Sequence, residues 1–135
     1  MGTAPASTTW TSEQLDVFGN AEEIRILTQH RDGTMRAPVN IWIVRVDGEL
    51  FVRSSHGRES NWCQGAATRH QAVIRAAGHA QRVGTADEVH RSAEIDAAYR
   101  AKYARYATSF LPALLSEKAR GATLRLVPIA WAGGA

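Results

Sequence analysis

The sequence has a single cysteine, only four prolines and no long apolar run. One cysteine cannot form an intrachain disulfide or a multi-cysteine metal site, and a lone thiol such as Cys63 is typical of the reducing cytoplasm. The longest strongly apolar run, residues 41–44, is far shorter than the roughly 20 residues of a membrane-spanning helix. The first residues lack the basic start and apolar middle of a signal peptide. We therefore expect a cytoplasmic protein without a membrane span.

Metal-ligand pairs and runs of basic charge are also missing. The histidines, at positions 30, 56, 70, 79 and 90, form no His-x-His or His-x-x-x-His pair, so the sequence predicts no metal site. The net charge of +3 raises nucleic acid as a partner. However, the arginines are spread along the chain and no two lysines or arginines are adjacent. This dispersed pattern argues against a nucleic-acid-binding surface.

The length and composition fit one globular domain. The chain has 135 residues, of which 44% are hydrophobic and 21% charged. That is enough to close a single core without a disulfide or a structural metal. We expect the domain to cover residues 10–130, with flexible tails at residues 1–9 and 131–135.

Segments rich in β-branched residues outnumber the helical segments. Capping boxes at residues 11–14 and 85–88 predict a short helix from about residue 12 and a long helix from about residue 86 to residue 107. No regular alternation of strand and helix is present, which argues against a doubly wound parallel sheet. The pattern therefore predicts a small antiparallel barrel with helices packed outside it. Six strands are predicted, at residues 23–29, 39–46, 49–55, 71–77, 80–84 and 122–129.

The two-residue turn Asp47-Gly48 sets the alignment of a β-hairpin. It pairs Trp42 with Arg53 and Asn40 with Ser55, and directly paired residues share a face. Together with the loop that follows, this face combines an aromatic plane, a guanidinium, hydroxyls and a glycine. A phosphate-bearing aromatic cofactor needs these groups. Spacing alone slightly favours the alternative, in which Trp42 packs in the core and Arg53 stacks on it.

Other reactive side chains have simpler structural interpretations. Tyr99, Tyr103 and Tyr106 recur on one helix face, which favours packing over a phenol that faces a substrate. Cys63 is more typical of a small buried residue than of a nucleophile. His56 lies in the candidate ligand loop and is a candidate proton donor, and Tyr99 is the other candidate catalytic group.

A series of motifs runs through the chain in a fixed order. It starts with Arg36-Ala37-Pro38 and the apolar strand, continues through Asp47-Gly48, Val52-Arg53-Ser54 and Gly57 to Trp62, and ends with residues 98–103 and 122–128. Over about residues 10–129, the chain resembles a bacterial family known only as domain-of-unknown-function family 2255. That family is similar to the FMN-binding split-barrel superfamily, which includes pyridoxamine-phosphate-oxidase-like proteins and deazaflavin-dependent nitroreductase-like proteins.

The resemblance implies a mainly β (α+β) fold, a six-stranded antiparallel split barrel with flanking helices, which forms a homodimer. It also implies an FMN or deazaflavin cofactor whose phosphate is held by the strand-end loop. Two features depart from the nitroreductase pattern. Both lysines, Lys102 and Lys118, lie far downstream of this loop, and residues 63–66 replace an asparagine-leucine pair. The residues implied in cofactor binding are Arg36, Trp42, Arg53, Ser54, Ser55, Gly57, Arg58 and Trp62.

Three functions follow as hypotheses. The first is a flavin- or deazaflavin-dependent oxidoreductase that acts on a small organic acceptor. The second is a non-catalytic small-ligand-binding or accessory protein that keeps the barrel without a redox cofactor, which the two departures motivate. The third is nucleic-acid binding, which only the net charge suggests.

Overall fold

The computed structural model describes residues 9–129 as one α+β domain. Residues 1–8 and 130–135, which hold most of the two expected tails, lie outside the described residues. The strands are β1 (Ile24–Leu27), β2 (Val39–Ile41), β3 (Ile43–Val46), β4 (Glu49–Arg53), β5 (Gln71–Ala76), β6 (His79–Asp87) and β7 (Thr123–Pro128). The helices are α1 (Ser12–Asn20), α2 (Asn61–Arg69), α3 (Ser92–Lys102), α4 (Leu111–Leu114) and α5 (Glu117–Arg120).

All seven strands form one antiparallel sheet in the order β2-β1-β5-β6-β7-β4-β3. The two outermost strands, β2 and β3, are consecutive in the chain and only Trp42 separates them. The covalent chain therefore brings the two edges of the sheet together, and the sheet becomes a nearly closed barrel with its opening at Trp42. This confirms the split barrel. The count is seven strands rather than six because the expected strand at residues 39–46 divides at this residue.

The division at Trp42 also changes the predicted hairpin. The Asp47-Gly48 turn is confirmed, since Val46 pairs with Glu49 and Val44 with Phe51. Beyond Ile43 the ladder stops, so the predicted pairs of Trp42 with Arg53 and of Asn40 with Ser55 are wrong. Asn40 pairs instead with Arg25 of β1. Two short strands joined by one residue can each follow a different neighbour, which a single straight strand cannot.

The two predicted helix starts have different outcomes. The first capping box is confirmed, because Thr11 Oγ1 accepts the Gln14 amide and the Gln14 side chain accepts the Thr11 amide. The second is wrong. Thr85 pairs with Leu126 inside the sheet, and its hydroxyl donates to the carbonyl of Ala66 at 3.0 Å. Strand β6 therefore continues to Asp87, and α3 begins only at Ser92.

The core has two parts that lie on the two sides of the sheet. Ile41 and Ile43 belong to the barrel interior, together with Trp62 and Cys63 of α2. Val44 faces the other way and packs with Phe51 and α3 in a second cluster that includes Tyr99 and Tyr103. The tyrosine stripe therefore serves packing, as its spacing predicts. None of the helices within residues 9–129 is both long and apolar enough to cross a membrane.

Candidate functional site

A cavity of about 650 Å³ lies where the barrel opens. The β2–β3 junction contributes Trp42, the end of β4 contributes Arg53, and the start of α2 contributes Trp62. A further side comes from residues that follow α3, namely Tyr106, Ser109, Phe110, Ala113 and Leu114. The cavity thus brings together six of the side chains that the sequence singles out: Trp42, Arg53, Ser54, Ser55, His56 and Trp62.

The loop after β4 is a tight polar turn. The Gly57 amide donates to the carbonyl of Ser54 at 3.0 Å, and Gly57 has a φ of 76°, a conformation that glycine adopts without strain. Ser54 donates its hydroxyl to Ser60, which in turn caps α2 by accepting the Cys63 amide. The cap fixes the serine hydroxyls at the positive end of α2, where an anion is favoured.

The side chains of Ser55 and His56 remain exposed beside this turn and line the cavity. Neither side chain forms a hydrogen bond or an ion pair with another side chain within residues 9–129. Both can therefore offer hydrogen bonds to a ligand.

A lysine lies against the loop, contrary to the expectation drawn from sequence distance. A β-carbon built on Gly57 would lie 2.9 Å from Lys118 Cδ, so the lysine stem crosses directly over the glycine. Lys118 belongs to α5, about 60 residues further along the chain. No local motif marks this contact, because it arises only when α5 packs against the turn. A lysine side chain from a distant helix therefore packs against this turn.

Arg53 has a different role from the expected one. Its side chain is 0% exposed, and its guanidinium donates to Asp96 Oδ1 at 2.5 Å and to the carbonyl of Leu114 at 3.0 Å. Its Nε donates to the hydroxyl of Thr123. The remaining lobe of the guanidinium faces the carbonyl of Ser92. Because these donors are used inside the protein, Arg53 is not free to hold a phosphate, and its expected place in the cofactor-binding set is corrected.

The expected stacking of Arg53 on Trp42 is also wrong. Arg53 lies 5.4 Å from the ring centroid of Tyr99. Trp42 instead stacks on Tyr103, with the ring centroids 3.9 Å apart and the planes 3° from parallel. Tyr106 covers part of the same indole at 5.0 Å. The tyrosines therefore fix the orientation of Trp42, which is half-buried at the edge of the cavity.

Trp62, near the start of α2, also lines the cavity. Only 7% of its surface is exposed, because most of the indole packs in the barrel interior. The two indoles are thus held by two different parts of the core, and together they provide rigid aromatic surface around the cavity.

Three expected site residues lie elsewhere. Arg36 lines a separate pocket formed by α2 and the turn at residues 29–34. Arg58 is exposed and pairs with Asp87 at 3.2 Å. Tyr99 is 0% exposed, and burial raises the pKa of its phenol, so it has no route to a ligand in the cavity.

The β1–β2 side of the cavity is acidic. Glu22 and Glu23 both line it, and Glu22 forms an ion pair with Arg105. No ion pair involves Glu23 within the described part of the chain. The cavity therefore has hydroxyls and an imidazole on one side and carboxylates on another. An anionic group is favoured at the loop after β4.

Two other chemistries find no support. Cys63 is fully buried, and burial raises the pKa of its thiol, so the reactive thiolate is disfavoured. Among residues 9–129 there is no cluster of three or more histidine, cysteine or carboxylate side chains that could hold a metal ion.

The nearly closed barrel with its cavity at the strand break defines a protein of the split-barrel class. The chain belongs to the family described as "Uncharacterized protein conserved in bacteria (DUF2255)", whose profile matches residues 14–126. Comparison with curated proteins gives no match.

Three solved structures share the fold at low identity. The conserved hypothetical protein Rv2991 from Mycobacterium tuberculosis is 11% identical, with a TM-score of 0.60 over 95% of this chain and 86% of that one. An F420 reductase is 14% identical, with a TM-score of 0.52 over 86% and 93%. A FAD-binding protein from Mesorhizobium loti is 12% identical, with a TM-score of 0.50 over 91% of each chain. These similarities confirm the split-barrel fold.

Proposed function

We propose that this protein binds a flavin or deazaflavin cofactor in the cavity at the strand break and acts as an oxidoreductase on a small organic acceptor. The observation that carries the proposal is the meeting of two fixed indoles with the polar turn after β4 around one cavity. Two of the solved structures with the same fold are described as an F420 reductase and a FAD-binding protein. Their names support a ligand of this class.

The cavity fits such a cofactor in size and chemistry. Its volume of about 650 Å³ is within the usual range for a small-molecule site. Trp42 and Trp62 offer flat apolar surface to an aromatic ring, and Ser55 and His56 offer donors to a phosphate. The carboxylates of Glu22 and Glu23 would repel a phosphate, which therefore goes to the loop after β4.

Each group has a distinct task in this proposal. Ser55 and His56 bind the phosphate beside the turn that Ser54 and Gly57 shape, and Lys118 adds positive charge next to this turn. Trp42 and Trp62 orient the ring and exclude water from one part of the cavity. His56 is the candidate proton donor. The cofactor, when bound, supplies the hydride or electron transfer, and the protein supplies position and electrostatics.

We also propose that the protein is a cytoplasmic homodimer in which the partner subunit completes the cavity. Val39 and Phe110 are exposed large apolar side chains, and both line the cavity. A second copy of the chain that covers them would remove apolar surface from water and enclose the ring. The free, buried thiol of Cys63 fits the reducing cytoplasm.

The test uses ligands that differ by one group. FMN, riboflavin and a phosphorylated deazaflavin are titrated separately into the protein, and absorbance and flavin fluorescence are measured. We expect FMN or the deazaflavin to bind at micromolar concentration, and riboflavin, which lacks the phosphate, to bind at least about tenfold more weakly. Ser55→Glu places a negative charge at the proposed phosphate position and should remove the preference for FMN over riboflavin. Thr108→Glu is the matched control because residue 108 is exposed and does not line the cavity.

The proposal is wrong if none of the three ligands binds. It is also wrong about the phosphate if Ser55→Glu and Thr108→Glu behave alike. Binding without turnover of any acceptor would favour the second candidate, a non-catalytic binding protein. One observation supports that candidate: the guanidinium nearest the cavity is used internally by Asp96 and is not available to a cofactor.

A further inference from the structure

Thirteen of the fourteen arginines fall into two groups when ion pairs are considered. Seven form ion pairs with aspartate or glutamate, at positions 45, 53, 58, 91, 105, 120 and 125. Arg25, Arg31, Arg36, Arg69 and Arg75 form none with any residue from 9 to 129. Arg100 also forms none, and it stands apart on α3. The arginines without acidic partners are therefore a distinct set, and five of them lie on one part of the molecule.

That part is a continuous surface on the β1–β5–β6 side of the barrel. A pocket against α2 and a groove over β1 and β5 share Gln29 and Arg69, and the groove shares Arg75 with a third pocket at the β5–β6 turn. Asp32 and Glu23 are the acidic side chains lining these three pockets. We call this surface the basic face and define it by Arg25, Arg31, Arg36, Arg69, Arg75 and Arg82.

The basic face has two carboxylates against six arginines, so its acids neutralise only part of the positive charge. Asp32 accepts hydrogen bonds from the amide and the hydroxyl of Thr34, at 2.9 and 2.7 Å, and these bonds lower the pKa of its carboxyl and keep it ionised. Glu23 lines both the third pocket and the cavity at the strand break, so it lies at the edge of the basic face. The charge of the face is thus strongly positive although the net charge of the chain is only +3.

The strand register concentrates this charge. Arg25 of β1 lies directly opposite Arg75 of β5, and both side chains are exposed. Like charges directly opposite each other in a sheet are destabilising. Arg82 of β6 is two residues beyond Ala80, the partner of Arg75, so all three arginines point to the same side of the sheet. A bound anion would offset this repulsion.

We infer that the basic face binds the phosphate backbone of a nucleic-acid duplex. The cations are arginines, whose planar fork matches phosphate oxygens. The lining residues of the three pockets include no phenylalanine, tyrosine or tryptophan, so the face lacks the stacking surfaces that single-stranded bases use. Contact with the backbone alone gives binding that depends on charge and little on sequence. This function is independent of the cofactor cavity.

A second copy of the chain fits the face poorly. A two-fold symmetric contact places the same patch of both subunits together, so the Arg25–Arg75 pairs would face each other across the interface. Their repulsion would add to the repulsion already present within each subunit. The contact that completes the cofactor cavity must therefore involve another surface, such as the one near Phe110.

The test is fluorescence anisotropy with a labelled DNA duplex of about 20 base pairs, titrated with the full chain between about 50 and 200 mM salt. We expect the logarithm of affinity to fall linearly with the logarithm of salt, with a slope of about −3 to −5, as for four or five neutralised phosphates. Arg75→Glu should weaken binding about tenfold and reduce the slope by at least about one unit. The same change replaces a like-charge pair by an attractive one, so its Tm should be unchanged or higher.

Arg100→Glu is the matched control, since it makes the same charge change at an exposed arginine without an ion pair on α3. It should bind the duplex nearly as well as the parent protein. The inference is overturned if the parent fails to bind at low salt, or if both variants weaken binding equally. It is also overturned if Arg75→Glu abolishes a dimer, or if the protein binds vesicles of anionic lipid but not the duplex.

Discussion

Arg53 and Asp96 are two buried charges, and Arg53 lies against Tyr99 of the second core cluster, where an unpaired charge would be costly. Asp96 receives hydrogen bonds from Arg53 at 2.5 Å and from Arg120 at 2.7 Å. Burial alone raises the pKa of the Asp96 carboxyl, but the hydrogen bonds from Arg120 and Arg53 more than offset this, so the pKa is lower than usual. The arginine that the sequence suggests as a ligand group is therefore one partner in a structural ion network centred on Asp96.

Asp96→Asn should strongly destabilise the fold, because it leaves the guanidinium of Arg53 buried without a counter-charge. We expect a loss of about 3–5 kcal/mol in the free energy of unfolding, measured by urea denaturation. Asp16→Asn is the control, because Asp16 is exposed and lies 4.0 Å from Arg45. It should cost less than about 1 kcal/mol. Equal losses in the two variants would contradict the network.

Lys102 ends α3 with a partly buried ammonium that donates to the carbonyl of Ile43 at 2.7 Å. Burial lowers the pKa of Lys102 from its usual 10.5 to about 8. Between these values the unfolded chain binds a proton that the folded chain lacks, so this group makes stability rise with pH there. We expect the stability of the parent relative to Lys102→Met to increase from about pH 8 to pH 10.5. Chemical denaturation at several pH values measures this difference, and parallel curves would contradict it.

At the scale of the elements, a local sequence motif predicts the structure correctly when that structure depends only on residues close in the chain. The first capping box and the Asp47-Gly48 hairpin turn are both found where they are predicted. The box at residues 85–88 fails because Thr85 gains a ladder partner in β7, far away in sequence. The break at Trp42 likewise depends on distant partners. Strand β2 pairs with β1 and strand β3 pairs with β4, so the two strands lie at opposite edges of the sheet.

The same distinction explains the candidate site. The loop at residues 54–57 and Trp62 could be found, because a strand end, a glycine and a helix start are local patterns. The contact between Lys118 and Gly57 and the capture of Arg53 by Asp96 could not be found. Each joins residues from distant elements, and only the packed fold brings them together.

The turn between β4 and α2 should be intolerant of a side chain at Gly57. Gly57→Ala meets both a positive φ and the stem of Lys118, and we expect it to cost about 1–2 kcal/mol and to weaken FMN binding. Gly33→Ala shares the positive φ but has nothing within 4 Å, so it should lose stability without loss of FMN affinity. Thermal unfolding and FMN titration measure the two effects. Equal FMN affinity in both variants would exclude Lys118 from the phosphate site.

At the scale of the whole molecule, one short chain provides a core, a cavity proposed to bind a cofactor and a basic face proposed to bind nucleic acid. The opening of the barrel leaves Val39 and Phe110 in solvent beside the cavity. The basic face lies on the β1–β5–β6 side and carries a different chemistry. The proposed dimer contact and the proposed nucleic-acid contact therefore use different residues, and each can be removed without the other.

Phe110→Ser should weaken self-association, because 66% of this side chain is exposed at the cavity and the proposed partner subunit would bury it. We expect the dimer dissociation constant, measured by analytical ultracentrifugation, to rise at least about tenfold, since burying a large apolar side chain contributes roughly 1.5–3 kcal/mol. Val89→Ser is the control, because Val89 is 59% exposed but does not line the cavity. If the partner also encloses the cofactor, FMN should tighten the parent dimer and have a smaller effect on the Phe110→Ser dimer. A dimer that resists Phe110→Ser would require its contact to lie away from the cavity, and the cofactor would then be bound within a single chain.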